Sequence, residues 1–127
     1  MQVVVLDASA LLAFLRQEPG SELVDQVLGT AVLTSVNWAE VMQKSLSVGV
    51  DVDGLRQDLQ ALGLAVEPFT AVDADTAAKL WPQTRRRGLS LADRAYLSLG
   101  LRLNLPVLTC DRAWAGLALP LEIQLLR

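Results

Sequence analysis

The chain contains no histidine and a single cysteine. A Ser-His-Asp triad, a Cys-His pair, a histidine general acid or base and a His/Cys zinc site are therefore all excluded. One cysteine closes no internal disulfide, so nothing in the composition points to an oxidising compartment. Long apolar runs are missing too: none approaches the ~18 residues that a membrane span needs. Basic charge is in deficit, with 11 Lys and Arg against 14 Asp and Glu, a net charge of −3. Bulk acidity argues mildly against nucleic-acid binding, but it ignores where the carboxylates sit and whether they hold metal. The N-terminus runs Met1, Gln2, Val3-Val4-Val5-Leu6 and then Asp7. It has no basic segment and its apolar run is short, unlike a secretory signal. The expectation is a soluble cytoplasmic protein with no membrane association.

What is present fits one folded unit. The 127 residues are 52 % hydrophobic and 20 % charged, too apolar for a disordered tail and suited to a sizeable core. No internal repeat, low-complexity tract or Ser/Gly-rich linker divides them, so residues 1–127 are read as a single domain.

Apolar periodicity alternates between short strands and helices. Val3 to Leu6 is a β-branched run ending at a carboxylate, and reads as a strand buried on both faces. Leu11, Leu12, Phe14 and Leu15 recur at helical spacing until Pro19-Gly20, and Leu23, Val24, Val27 and Leu28 mark a second helix closed by Gly29. Ala31–Thr34 is a second strand. A helix from about Asn37 carries Val41, Met42 and Leu46. Leu55, Leu59 and Leu62 mark another, ended by Gly63. Leu64–Pro68 is a third strand. Asp73 is expected to cap a helix containing Ala77, Ala78 and Trp81, ended or bent by Pro82. Ser90 opens a long helix through Leu103, Pro106–Thr109 is a fourth strand, and Leu121–Leu125 alternates like an edge strand. Strand and helix in alternation predict a parallel sheet with helices on both faces.

Four carboxylates fall where such a sheet binds ligands, at the carboxyl ends of its strands. Asp7 follows the first strand and Asp111 lies two residues past Thr109, so parallel pairing puts both on one edge. Glu40 is expected in the first turn of the helix after strand two, and Asp93 in the first turn of the helix before strand four. Each acid also has an ordinary reading. Asn37-Trp38-Ala39-Glu40 and Ser90-Leu91-Ala92-Asp93 both resemble capping boxes, and Asp7 and Asp111 suit helix N-caps. Together, however, four such acids in a chain without histidine form a cluster whose like charges need a cation or raised pKa values. All-oxygen ligands select Mg²⁺ or Mn²⁺ over zinc. Such ions suit phosphodiester hydrolysis, because they acidify bound water and neutralise phosphate charge.

These residues resemble the PIN-domain ribonucleases, in particular the VapC toxins of toxin–antitoxin pairs. The resemblance covers essentially the whole chain. It is carried by Val4-Val5-Leu6-Asp7-Ala8-Ser9-Ala10-Leu11-Leu12, Ser35-Val36-Asn37-Trp38-Ala39-Glu40-Val41, Gly88-Leu89-Ser90-Leu91-Ala92-Asp93-Arg94-Ala95 and Leu105-Pro106-Val107-Leu108-Thr109-Cys110-Asp111-Arg112-Ala113-Trp114. It implies a three-layer α/β/α domain with a central, mostly parallel sheet of four to five strands. By the same resemblance, Asp7, Glu40, Asp93 and Asp111 are the catalytic quartet that holds Mg²⁺ or Mn²⁺ and positions the attacking water. Thr109 matches the hydroxyl residue that supports the quartet, and Ser9 and Asn37 match polar positions lining the pocket. Trp114 and Ala92 stand where relatives often carry phenylalanine and glycine. The implied activity is metal-dependent endoribonuclease, the toxin of a type II pair. The implied assembly is a homodimer bound to a small cognate antitoxin.

The remaining features are read beside that. Arg85-Arg86-Arg87, with Arg112, could contact RNA phosphates, and the run could equally be a solvated turn at a helix end. Cys110, with no histidine to activate it, is read as a small buried hydrophobe. Trp38, Trp81 and Trp114 are read as core or dimer packing before base stacking. The high apolar content predicts an exposed hydrophobic patch for a partner. Two rival functions stay open. One is a PIN-fold module that binds RNA or protein without cutting. The other is a phosphoryl-transfer domain with Asp7 as aspartyl nucleophile, although Ser9 and Leu6 occupy the places where such folds usually want a second acid.

Overall fold

The computed structural model describes residues 3–127. Met1 and Gln2, which open the segment weighed as a targeting signal, lie outside them. Five short strands form one parallel sheet: β1 (Val5–Leu6), β2 (Val32–Thr34), β3 (Ala65–Glu67), β4 (Val107–Thr109) and β5 (Ile123–Leu125). Their order across the sheet is β3-β2-β1-β4-β5. Val5 is registered with Val32 on one side and Val107 on the other. The chain thus starts in the middle and winds outward in both directions. The strand order reverses at β1, and the carboxyl edge there is where open α/β sheets bind ligands. The expected alternation and the five-strand limit both hold, and the final strand is indeed an edge.

Strand alternation divides the core into two layers. Val4, Leu6, Leu33 and Leu108 face one side, where they meet Leu11 and Leu12 of α1 (Ala8–Leu15), Val24 of α2 (Ser21–Val27), Trp38 and Val41 of α3 (Ser35–Ser47) and Leu59 of α4 (Leu55–Ala61). Val5 and Val107 face the other side. There they meet Leu80, which ends α5 (Ala71–Lys79), and Tyr96, Leu97 and Leu99 of α7 (Leu91–Leu103). The result is the three-layer α/β/α arrangement. Between α5 and α7, Pro82 sits inside the short helix α6 (Trp81–Thr84), at its first turn, where its missing N–H costs nothing. Gly63 ends the α4 hairpin at φ +110°, and a Cβ there would stand 2.4 Å from the Gly29 carbonyl oxygen. Only glycine allows that backbone approach.

Three expectations about helix starts are corrected. The cap of α3 is Thr34, whose hydroxyl accepts the Asn37 N–H at 3.0 Å. The helix therefore begins at Ser35, and Asn37-to-Glu40 is not its capping box. Glu40 consequently lies beyond the first turn, which contains no acid. The cap of α5 is Thr70, with Asp73 completing the box from the third helical position. In both cases the threonine ending the extended segment reaches the free N–H groups first, and the residue read as the cap falls one turn inside. Asp73 is instead held by Arg102 of α7, at 2.8 and 3.2 Å. Ser90 and Asp93 do form the box that starts α7.

Candidate active site

Asp7 is the centre of the carboxyl edge. It follows β1 directly and is 4 % exposed. It caps α1: Oδ1 accepts the Ala10 N–H at 2.9 Å and the Ser9 hydroxyl at 2.7 Å. Oδ2 accepts the Thr109 hydroxyl, at the end of the neighbouring strand β4, at 2.6 Å. Thr109 is fully buried, and its oxygen in turn accepts the Asp111 N–H at 3.0 Å. Asp111 caps a three-residue 3-10 turn, Arg112–Trp114, through the Ala113 N–H at 2.9 Å. Parallel pairing of β1 with β4 thus ties Asp7, Ser9, Thr109 and the Asp111 backbone into one network.

A second network approaches from the helices. Asn37, 1 % exposed, donates from Nδ2 to Glu40 Oε1 at 2.8 Å and to the Ala92 carbonyl at 3.2 Å. The amide therefore bridges α3 to the first turn of α7, where Asp93 sits. The two networks meet electrostatically. Burial pushes the Asp7 carboxyl up from its ordinary 3.8 to about 6, against hydrogen bonds from Thr109, Ser9 and Ala10 that lower it, and the charge of Asp93 adds to the rise. A buried carboxylate facing a like charge disfavours its own ionised form and gains most from a nearby cation.

The capping and functional readings turn out to be compatible, because each cap uses one carboxylate oxygen. The cap bond of Asp93 falls on Oδ2 and that of Asp111 on Oδ1. Among the described residues, Asp93 Oδ1 and Asp111 Oδ2 make no hydrogen bond. Glu40 gives Oε1 to Asn37 and turns Oε2 toward Lys44 at 4.0 Å, an exposed i,i+4 pair worth little. Among the described residues no group of three or more Asp, Glu, Cys or His side chains is placed to hold a metal ion. Mg²⁺ does not require one: it keeps several waters and is usually held by one or two carboxylates together with substrate phosphates. The donor set is hard oxygen throughout, and the buried Asp7 has no ion-pair partner among the described residues. The residues present fit such an ion, with Asp7 at the centre and the charge of Asp93 felt there.

The other candidates are placed as follows. Arg85 lies over the Trp81 ring, its guanidinium carbon 5.2 Å from the ring centroid, while Arg86 and Arg112 are exposed. Arg87 is engaged by backbone: it donates to the carbonyls of Ala113, at 3.1 Å, and Ala115. Arg94 donates to the Ala77 carbonyl at 3.0 Å. Cys110 donates its N–H to the Ser9 hydroxyl at 3.0 Å, and burial pushes its thiol up, away from thiolate chemistry. Trp114 is fully buried and Trp38 nearly so, while Trp81 is half exposed. Tyr96 did not stand out in the sequence. It follows Asp93 by three residues on α7, is fully buried against Trp114 with ring centroids 4.8 Å apart, and its hydroxyl has no hydrogen-bond partner among the described residues. Burial, and then the charges of Asp7 and Asp93, keep it protonated. The i,i+3 spacing from Asp93 was the available signal.

A five-stranded parallel α/β sheet, with Asp7 at the end of its central strand and Asp111 just past the neighbouring one, defines the class. The family model of the PIN domain matches residues 4–119. The chain belongs to the PIN domain family. None of the curated proteins compared with it matches. Among solved structures it is similar to a toxin–antitoxin complex from Klebsiella pneumoniae, with 17 % identity, a TM-score of 0.73 and coverage of 94 % of this chain and 99 % of the other. It is also similar to FitAcB from Neisseria gonorrhoeae, with 19 % identity, a TM-score of 0.71 and coverage of 95 % and 96 %. A third is Mycobacterium tuberculosis VapC20, described as a toxin that cleaves the sarcin-ricin loop, with 14 % identity, a TM-score of 0.73 and coverage of 91 % and 96 %. At such identities these are likenesses of fold.

Proposed function

We propose that the chain is a metal-dependent endoribonuclease, the toxin of a type II toxin–antitoxin pair, acting on RNA in the cytoplasm. The observation that carries this reading is the buried Asp7 carboxylate. It is fixed by Ser9, Thr109 and Ala10 and charge-coupled to Asp93, at the edge where a parallel sheet binds its ligand. Family membership and the fold likeness to toxin–antitoxin structures support it.

A divalent cation, Mg²⁺ or Mn²⁺, would acidify water and neutralise charge on the scissile phosphate. Asp7 and Asp93 would hold it, with Asp111 and Glu40 as the remaining acids of the quartet. Thr109 and Ser9 keep Asp7 oriented, and Asn37 fixes Glu40 relative to the α7 turn. Free carboxylate oxygens beside the attacking water would accept its proton, a role that elsewhere often falls to histidine. Arg86 and Arg112 remain exposed for phosphate contact. The exposed apolar side chains Leu46, Val48 and Val50, at the end of α3 and just beyond it, support the reading that partner chains, an antitoxin and a second copy, cover part of this surface.

Asp7→Asn and Asp93→Asn test the proposal. Each is expected to abolish cleavage of RNA while circular dichroism shows an intact fold. Wild-type cleavage rates in both variants would remove the site assignment.

A further inference from the structure

Arg87 belongs to the dense basic run, where phosphate contact is the obvious reading. Its guanidinium is already committed. Nη1 donates to the Ala113 carbonyl at 3.1 Å and to the Ala115 carbonyl. Nη2 stands 3.7 Å from the position a Cβ of Gly116 would take, so the guanidinium reaches the whole segment from Ala113 to Gly116. That segment is the turn that opens at Asp111. Ala113 is gripped from both ends: its N–H goes to the Asp111 carboxylate at 2.9 Å and its carbonyl to Arg87. Trp114 anchors the inner side against Tyr96, while Asp111, Arg112, Ala113, Ala115 and Gly116 are all exposed. A 3-10 turn of three residues has poor internal hydrogen-bond geometry and little capacity to hold itself. Its outer side is fixed by the arginine.

We propose that Arg87 is a positioning residue for Asp111: it clamps the turn at residues 112–115 and thereby sets the carboxylate at the sheet edge, instead of gripping RNA. The activity arm of its test rests on the nuclease reading above; the structural arm does not. Both carbonyls are met by the one terminal nitrogen Nη1, so a lysine, with three donors on its shorter ammonium arm, can restore part of the clamp.

Amide hydrogen exchange and RNA cleavage would be measured on the full chain for wild type, Arg87→Ala and Arg87→Lys. In Arg87→Ala, exchange at Ala113 to Ala115 is expected to quicken by at least about tenfold, as loss of charge-assisted bonds implies, with the sheet and α7 unchanged. Arg87→Lys should fall between. For cleavage, kcat is expected to drop about ten- to a hundredfold from a misplaced group, with KM and the salt dependence held. A phosphate contact would instead raise KM and lower the salt slope by about one, which would overturn the proposal. Unchanged exchange at Ala113 to Ala115, or faster exchange spread over the whole chain, would overturn it as well. The exchange result needs no RNA, so failure of the nuclease reading and failure of the clamp are told apart.

Discussion

Replacing Asp7 by asparagine should make the protein more stable above pH 6 while removing its activity. The folded carboxyl titrates near 6 against an ordinary 3.8. The folded chain therefore keeps this proton to higher pH than the unfolded chain does. Between these two values the folded state binds more protons, so the stability contributed by Asp7 falls as pH rises through the window. Below 3.8 the penalty is absent, and above about 6 it is complete. At about 1.4 kcal/mol per pH unit of displacement, the full penalty is about 3 kcal/mol. Asparagine carries no charge to bury. Its amide does turn an N–H toward Thr109, which donates to Oδ2 in the wild type, and that mismatch costs about 1 kcal/mol at every pH. The difference between variant and wild type should thus climb by about 2 kcal/mol from pH 4 to pH 6.5, ending at about 2 kcal/mol in favour of Asp7→Asn. Urea unfolding in EDTA across this range measures it. A difference that stays flat, or falls with pH, would refute the claim that burial raises the Asp7 carboxyl at the centre of the site.

Other consequences follow from the same contacts. Thr109→Val keeps the shape of a fully buried side chain but deletes the 2.6 Å bond to Asp7 and the acceptor for the Asp111 N–H; the lower arm of the pH–rate profile should move upward, with about a tenfold or greater loss of rate near pH 7. Cys110→Ala should cleave RNA within about twofold of wild type, because the thiol is held protonated by burial and contributes at most packing; loss of activity would revive the thiol as a reacting group. Gly63→Ala should destabilise by more than about 1 kcal/mol in a denaturant titration, since φ is +110° and the new Cβ would meet the Gly29 carbonyl.

Much of this was legible in the linear chain. Strand–helix alternation was enough for a parallel three-layer fold, and strand ends gave the edge on which Asp7 and Asp111 lie. The Ser90 and Asp93 box was readable because serine, three residues ahead of an acid, is the first capable cap there. The box read at Asn37 and the cap read at Asp73 both fail, because Thr34 and Thr70 close the preceding extended segments and capture the helix N–H groups first; at Thr70, three residues ahead of Asp73, the box itself is present in the sequence. What lay beyond the sequence was long-range pairing. Asn37 meets the Ala92 carbonyl 55 positions away, and Arg87 reaches a turn 26 to 28 positions on. Such contacts depend on how helices cross the sheet, which periodicity does not encode. A lone aromatic on an apolar helix face, Tyr96 reads as core, and it is core; that the charges of Asp7 and Asp93 reach its buried hydroxyl is not encoded in the sequence pattern.

The central claim is that these acids cut RNA with a divalent cation. Purified chain, shown to be folded and free of any partner, would be incubated with total cellular RNA in Mg²⁺, in Mn²⁺ and in EDTA, and the products end-mapped. Discrete fragments that need the metal, and that are absent with Asp7→Asn, are the predicted result. Intact RNA under every metal condition, or fragments that persist in EDTA, would contradict it.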